Sequence, residues 1–206
     1  MKPLYLNVLL IFILNVNLVF CQDKIELKEF GFSMNNPEGW FAYNRNQIVS
    51  NINQFDLNKD EIDRFSKQVD KSIEYITLSK YQKGKYLGAI PTINIRVDKN
   101  PTKDILELQK ALYLSLEQNK ATFKNLHFIE KSNIVDIEGT KIIRTIFSYT
   151  LKSENVEYKL KSYKVLIPVG KFYININFID EENKDDNSIL YEEIINSIKL
   201  INSEKE

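Results

Sequence analysis

Few residues in this chain have the types and spacing that chemistry requires. His127 is the one histidine and Cys21 the one cysteine. His127 stands in Leu126-His127-Phe128-Ile129, among the apolar neighbours of a strand. A serine triad needs such a base beside a nucleophile on a sharp turn, and no Gly-x-Ser-x-Gly occurs. Zinc needs several His or Cys ligands, which one imidazole does not supply. His127 therefore reads as a surface or hydrogen-bonded strand residue. Asp180-Glu181-Glu182-Asn183-Lys184-Asp185-Asp186-Asn187 is dense in hard oxygen donors, the type calcium prefers. It lacks the spaced acids, central glycine and closing glutamate of a calcium loop. The plainer reading is a solvated turn before a helix, with Asp185 or Asp186 favourably placed at the helix dipole. No glycine-rich phosphate loop is present. Paired carboxylates for glycosidic chemistry cannot be identified from spacing alone. The expectation is no catalytic residue, no metal and no cofactor.

Binding has more candidates. Tyr173, Asn175 and Asn177 alternate with Phe172, Ile174, Ile176 and Phe178, so they form one polar and aromatic stripe. Uncovered, that stripe is a ligand surface; covered by a helix, it is packing. Lys152, Lys159, Lys161, Lys164 and Lys171 cluster on the late hairpins, and Lys159 and Lys161 share a strand face. They read as a patch for an anionic partner, or as a charged edge that blocks strand pairing. Trp40 follows a tight turn and reads as a core anchor or as a ligand-stacking ring.

The elements that would carry these residues follow from periodicity. Gly31–Met34 is a short strand closed by the turn residues Asn35–Gly39, and Trp40–Val49 re-enters the sheet. Asn58–Lys71 reads as a helix, with Asn58 as cap and Ile62, Phe65 and Val69 on one face. Ile73–Tyr81 and Ile90–Val97 read as strands. Thr102–Thr122 is a helix with Ile105, Leu108, Leu112 and Leu116 inward. Leu106, Tyr113 and Leu114 widen its stripe, so both flanks are expected to be covered. Leu126–Asp136, Thr140–Lys152, Val156–Ile167 and Phe172–Phe178 follow with no helix between them, which implies an antiparallel meander. Ser188–Ile201 closes the chain as a helix whose Leu190, Ile194, Ile198 and Ile201 face the sheet. Mixed strands and helices, then a meander, then a helix make an α+β fold.

The segment 1–21 places this domain. Met1-Lys2-Pro3 precedes the largely apolar Leu4–Phe20, and Gln22-Asp23-Lys24 turns polar. That is the pattern of an export signal. Its longest unbroken apolar run is Val8–Leu14, short of the roughly 20 residues of a spanning helix. Val19 at position −3 and Cys21 at −1 fit cleavage before Gln22. Leu18-Val19-Phe20-Cys21 as a lipobox is the rival, although Phe20 is bulky for it, and an uncleaved anchor is a third case. Association with a membrane is expected only if Cys21 is lipidated. Cleavage leaves a thiol-free chain and lipidation consumes the thiol, so an internal disulfide and thiol catalysis are both excluded. Without Lys2 there are 27 basic and 28 acidic side chains, a net charge of −1. That balance does not suit nucleic acid. Residues 22–206 have the length of one domain, and the chain's 12 Phe and 11 Tyr, all but Tyr5, Phe12 and Phe20 within it, can build its core.

Three pieces of the chain together resemble the PsbP-like family. They are Gly31-Phe32-Ser33-Met34-Asn35-Asn36-Pro37-Glu38-Gly39-Trp40, the late meander, and Ile194-Ile195-Asn196-Ser197-Ile198-Lys199. The resemblance covers roughly Phe30–Ile201. It implies an α-β-α sandwich around an antiparallel sheet. The family includes photosystem extrinsic subunits, a Ran-binding protein, type VI effector chaperones and bacterial lipoproteins. Its theme is binding partners or small ligands, usually without chemistry. An export signal departs from the cytoplasmic members.

The sequence thus leads to an exported, periplasmic or secreted, non-catalytic module that binds an envelope protein or a small amphiphile. A secreted hydrolase with distant carboxylates and a lipid-anchored structural protein are its rivals. Intact-mass measurement of the exported chain should show a start at Gln22, as glutamine or pyroglutamate. A diacyl or triacyl mass on Cys21 would instead establish the lipoprotein.

Overall fold

Long alternations of apolar and polar residues make strands the dominant element, because neighbouring side chains point to opposite faces. The computed structural model describes residues 24–43, 72–82, 84–102, 104–121, 123–153 and 156–200. The segment 1–21, the helix expected over Asn58–Lys71 and Ile201 lie outside the described residues. The chain runs β1 (Lys24–Leu27), a 3-10 turn (Lys28–Phe30), β2 (Phe32–Asn35), β3 (Phe41–Tyr43), β4 (Glu74–Ser79) and β5 (Thr92–Lys99). Then come α1 (Ile105–Gln118), a second 3-10 turn (Asn119–Ala121), β6 (Lys124–Ile137), β7 (Thr140–Ser153) and β8 (Val156–Val169). β9 (Phe172–Glu181), α2 (Ser188–Asn196) and β10 (Lys199–Leu200) complete it.

Seven strands form one sheet in the order β3-β4-β5-β9-β8-β7-β6, and β1-β2-β10 form a small second sheet. Every pairing is antiparallel. The meander β6–β9 is the one expected from the alternation. Closing it against β5 joins the early strands to the late ones.

Each long strand feeds two cores. On one face Ile93, Ile95 and Val97 of β5, Ile174, Ile176 and Phe178 of β9, and Tyr163, Val165 and Ile167 of β8 meet Phe32 and Met34 of β2. Tyr191, Ile194 and Ile195 of α2 complete that core. On the other face Leu108, Leu112 and Leu116 of α1 pack on Ile143, Phe147 and Tyr149 of β7 and on Leu160 and Leu166 of β8. The layers are helix, sheet, and helix with small sheet, an α+β sandwich.

Local chemistry sets the helix ends. α1 begins later than Thr102, because the extended Asp104 is its cap and accepts from the Leu106 amide at 2.8 Å. Thr102 instead donates its hydroxyl to Glu107 at 2.5 Å. The expectation that both flanks of α1 are covered is wrong. Leu106 is 53% and Leu114 56% exposed, because the buried stripe of the helix is Leu108, Leu112 and Leu116 and those two leucines lie off it. α2 stops at Asn196 and does not reach Ile201. The Ser197 hydroxyl donates to the Ile194 carbonyl at 2.6 Å and accepts from the Asn35 amide at 2.9 Å. The chain then extends, and Lys199 and Leu200 pair with Ser33 and Phe32. β1 has no counterpart in the expected elements; it pairs with β2 through Ile25 and Met34.

Tyr191 is the centre of the larger core and has no exposed surface. Its ring meets Phe178 at 4.9 Å, Tyr163 at 5.6 Å and Trp40 at 6.3 Å between centroids. Its hydroxyl donates to the buried carboxylate of Asp180. Tyr191→Phe keeps the ring and deletes that donor. Leaving a buried polar group short of a partner costs about 1–3 kcal/mol, so urea unfolding at pH 7 should show a loss of that size. An unchanged midpoint would mean that the hydroxyl contributes nothing to the fold.

Candidate functional site

The six residues singled out for binding occupy three places. Trp40 is half-buried, edge-on to Tyr191 at the end of the β2–β3 turn, where Gly39 takes φ 75°. It packs against the larger core. Tyr173, Asn175 and Asn177 lie on β9, on the α1 side of the sheet. Asn175 is only 6% exposed and its two neighbours are half-buried. Lys159 is exposed, and Lys161 is half-buried with its ammonium 4.9 Å from the Tyr163 ring centroid. The charged-edge reading of these lysines does not hold, because β8 is an interior strand between β7 and β9.

The stripe belongs to a polar layer that crosses the middle of the sheet. Register aligns Thr77, Asn94, Asn177, Lys164 and Thr145 across β4, β5, β9, β8 and β7. Thr77 donates to Asn94 at 2.7 Å and Ser162 to Asn177 at 2.5 Å. Beside this row Arg96 pairs with Asp98 at 2.7 Å, and the Ser72 hydroxyl donates to Asp98 at 3.0 Å. Burial, and next the Asp98 carboxylate, raise the Tyr173 hydroxyl above its ordinary value. Lys164 is the residue that sequence reasoning placed wrongly, among the edge lysines. Burial, with help from the Arg96 charge, lowers its ammonium to about 8. Its position four residues from Leu160 and two from Leu166, inside a strand of apolar alternation, was the available signal.

The acidic loop holds loops together. Asp180 accepts from the Asn187 amide at 3.1 Å and the Asn187 side chain at 3.0 Å, besides Tyr191. Burial lifts its carboxyl above the usual range, against the pull of those donors. Asp185 takes the Tyr81 hydroxyl at 2.7 Å and the Lys80 ammonium at 3.1 Å. Burial opposes its charge, yet those two donors hold it below the ordinary carboxylate value. Glu181 accepts from the Ala89 amide at 2.8 Å and pairs with Lys184 at 2.9 Å. A Cβ at Gly88, whose φ is 128°, would collide with the Glu181 carboxylate. Asp186 takes the Ser188 amide at 2.9 Å at the start of α2. These acids clasp the β4–β5 loop to the β9–α2 loop. Among the described residues no group of three or more His, Cys, Asp or Glu side chains could hold a metal ion. His127 is exposed on β6, where the register sets it opposite Ser148, and no hydrogen bond joins the two side chains among those described.

A concave surface lies elsewhere, between α1 and β6. Gln109, Lys110, Tyr113 and Leu114 of the helix face Lys131 and Ser132 of the strand around a groove of about 440 Å³. That volume falls within the usual range of small-molecule sites. The Gln109 side chain donates to the Ser132 carbonyl at 2.7 Å and fixes helix to strand. Tyr113 stacks on Phe128 at 5.4 Å. The accessible wall is nearly all apolar. Sequence reasoning missed this site because it assigned the flank of α1 to the core. The i, i+4 series Leu106, Lys110, Leu114 was the signal, since a helix resting on the 108, 112 and 116 stripe leaves that flank outside.

No protein-family model and no curated protein matches the sequence. Solved structures do. Cyanobacterial PsbP (CyanoP) from Synechocystis sp. PCC 6803 is similar at a TM-score of 0.54 and 10% identity, over 86% of this chain and 91% of that one. A point mutant of the protein Mog1 is similar at a TM-score of 0.50 and 10% identity, over 87% of this chain and 96% of that one. The fold is therefore PsbP-like, as the opening motif and the meander led one to expect.

The polar layer has a consequence for stability. The folded-state value of Lys164 lies below the 10.5 of a free lysine. The unfolded chain therefore binds more protons between about pH 8 and 10.5, and this residue makes stability rise across that window. Below it, the buried charge is a cost. Lys164→Met should raise stability at pH 7 by on the order of 1–3 kcal/mol, and the gain over the parent should shrink above pH 8. Urea titrations at several pH values test this, and a destabilised variant at pH 7 would show that the ammonium has a compensating partner.

Proposed function

We propose that this PsbP-like domain is an exported, non-catalytic binding module that takes an amphiphile in the cell envelope. The groove between α1 and β6 carries the reading, since it offers an apolar wall in a concave surface. The groups that could do chemistry support it from the other side. Asp180, Glu181 and Asp185 are each engaged in the clasp, and Asn177 and Asp98 accept hydrogen bonds within the sheet face. Carboxylates so engaged hold loops in place, and their lone pairs are shared with donors of the fold. Export rests on the segment 1–21. No helix among the described residues is long and apolar enough to cross a membrane. A protein partner is the second reading, favoured by Leu87, which is 93% exposed in the β4–β5 loop. Trp40, Tyr173, Asn175 and Asn177 then serve as the frame of the module, while Lys159 and Lys161 remain open to an anionic partner.

Native mass spectrometry of the full chain, purified from envelope fractions without added detergent, tests the proposal. The expected result is a retained amphiphile and no turnover in hydrolase screens run with and without calcium. Turnover that copurifies with the chain and vanishes on replacing a pair of neighbouring acids would make it an enzyme instead.

A further inference from the structure

We propose that the α1–β6 groove selects a single-chain anionic amphiphile, with the chain on Tyr113 and Leu114 and the head between Lys110 and Lys131. The inference rests on the binding-module reading and names the ligand class of that site. The charge pattern argues it. The lining contains two lysines and no acid. Among the described residues, neither lysine makes an ion pair. The nearby acids have other partners: Glu117 pairs with Lys120 at 2.7 Å, Glu107 takes the Thr102 hydroxyl, and Glu130 pairs with Arg144 at 2.9 Å. Lys131 still acts on Glu117, as one of the cations that lower its carboxyl after the Lys120 hydrogen bond.

Lysine side chains suit such a mouth. Their methylene stems lie along apolar surface while the ammonium stays in water. Lys110 and Lys131 are both exposed, so an apolar wall and a cationic rim come from the same residues. The exposed Leu106 and Leu114, one turn either side of Lys110, extend the wall along the helix.

An extended peptide adding to the edge of β6 fits less well. Pairing of β6 with β7 shifts between Lys124 and His127, Phe128 and Glu130, and Glu130 and Asn133. Such irregularities break the even row of backbone donors and acceptors that a new strand needs. A monomeric amphiphile needs no such row.

Calorimetric titration of the full chain tests the proposal, with dodecanoate and dodecyltrimethylammonium below their micelle concentrations. Dodecanoate should bind one to one, about tenfold or more tighter than the cation of equal chain length. Lys110→Glu with Lys131→Glu should reverse that order, and Leu114→Asp should abolish both, each with the parent melting temperature. Equal binding of the two probes would overturn the charge selection while leaving an amphiphile site. Binding indifferent to all three substitutions would overturn the location. No binding of either would overturn the ligand class and the amphiphile reading together. Binding to phosphatidylglycerol vesicles without binding of dodecanoate would replace the single amphiphile by a membrane surface.

Discussion

The hydrogen bond from Tyr191 to Asp180 ties the largest buried ring to a carboxylate at the end of β9. Part of the core on the α2 side of the sheet packs directly on that ring. The ring needs Trp40, Tyr163 and Phe178 to enclose it, and the carboxylate needs Asn187 to complete its set of donors. A buried acid with one partner would be costly; with three donors it is tolerable, and it fixes where α2 begins. From Asn187 the order spreads to Lys80 at 2.9 Å, and from there to Asp185, Tyr81 and the stacked Tyr86. Arg144 adds a second tether, bonding Glu130 of β6 and Glu192 of α2 at 2.9 and 2.7 Å.

This arrangement divides the molecule by chemistry. One face of the sheet is apolar and closed by α2 and the small sheet. The opposite face changes character along its width, apolar under α1 and polar over β4, β5 and β9. Two hydroxyl–amide pairs, Thr77 with Asn94 and Ser162 with Asn177, tie the polar part together. The concave apolar surface arises where α1 meets the last strand. α1 is anchored by three leucines and one glutamine, and a helix held on so narrow a stripe leaves a flank in solvent.

Much of this was legible from residue order. Alternation gave β5, β7 and β9, and the 3.6-residue spacing of Leu108, Leu112 and Leu116 gave α1, because both patterns are local. The motif at Gly31–Trp40 pointed to the family fold. The failures are tertiary. Ile198 continues the apolar spacing of α2, yet the chain leaves the helix at Ser197, because β2 offers an open edge for Lys199 and Leu200. The lysines of β8 resembled an edge until β9 folded back beside them. Leu106 and Leu114 resembled core because composition cannot tell which flank of an amphipathic helix has something to pack on. The site was hidden for the same reason. Its residues come from two elements whose separation in sequence carries no common motif.

The central claim is that ligands meet this fold at α1 and β6 and not on the polar face of the sheet. Amide chemical shifts of the isotopically labelled chain, followed as dodecanoate is added, address it directly. The account predicts changes confined to residues around Gln109–Leu114 and Lys131–Ser132. Changes centred on Asn94, Lys164, Tyr173 and Asn175, with α1 unaffected, would contradict it.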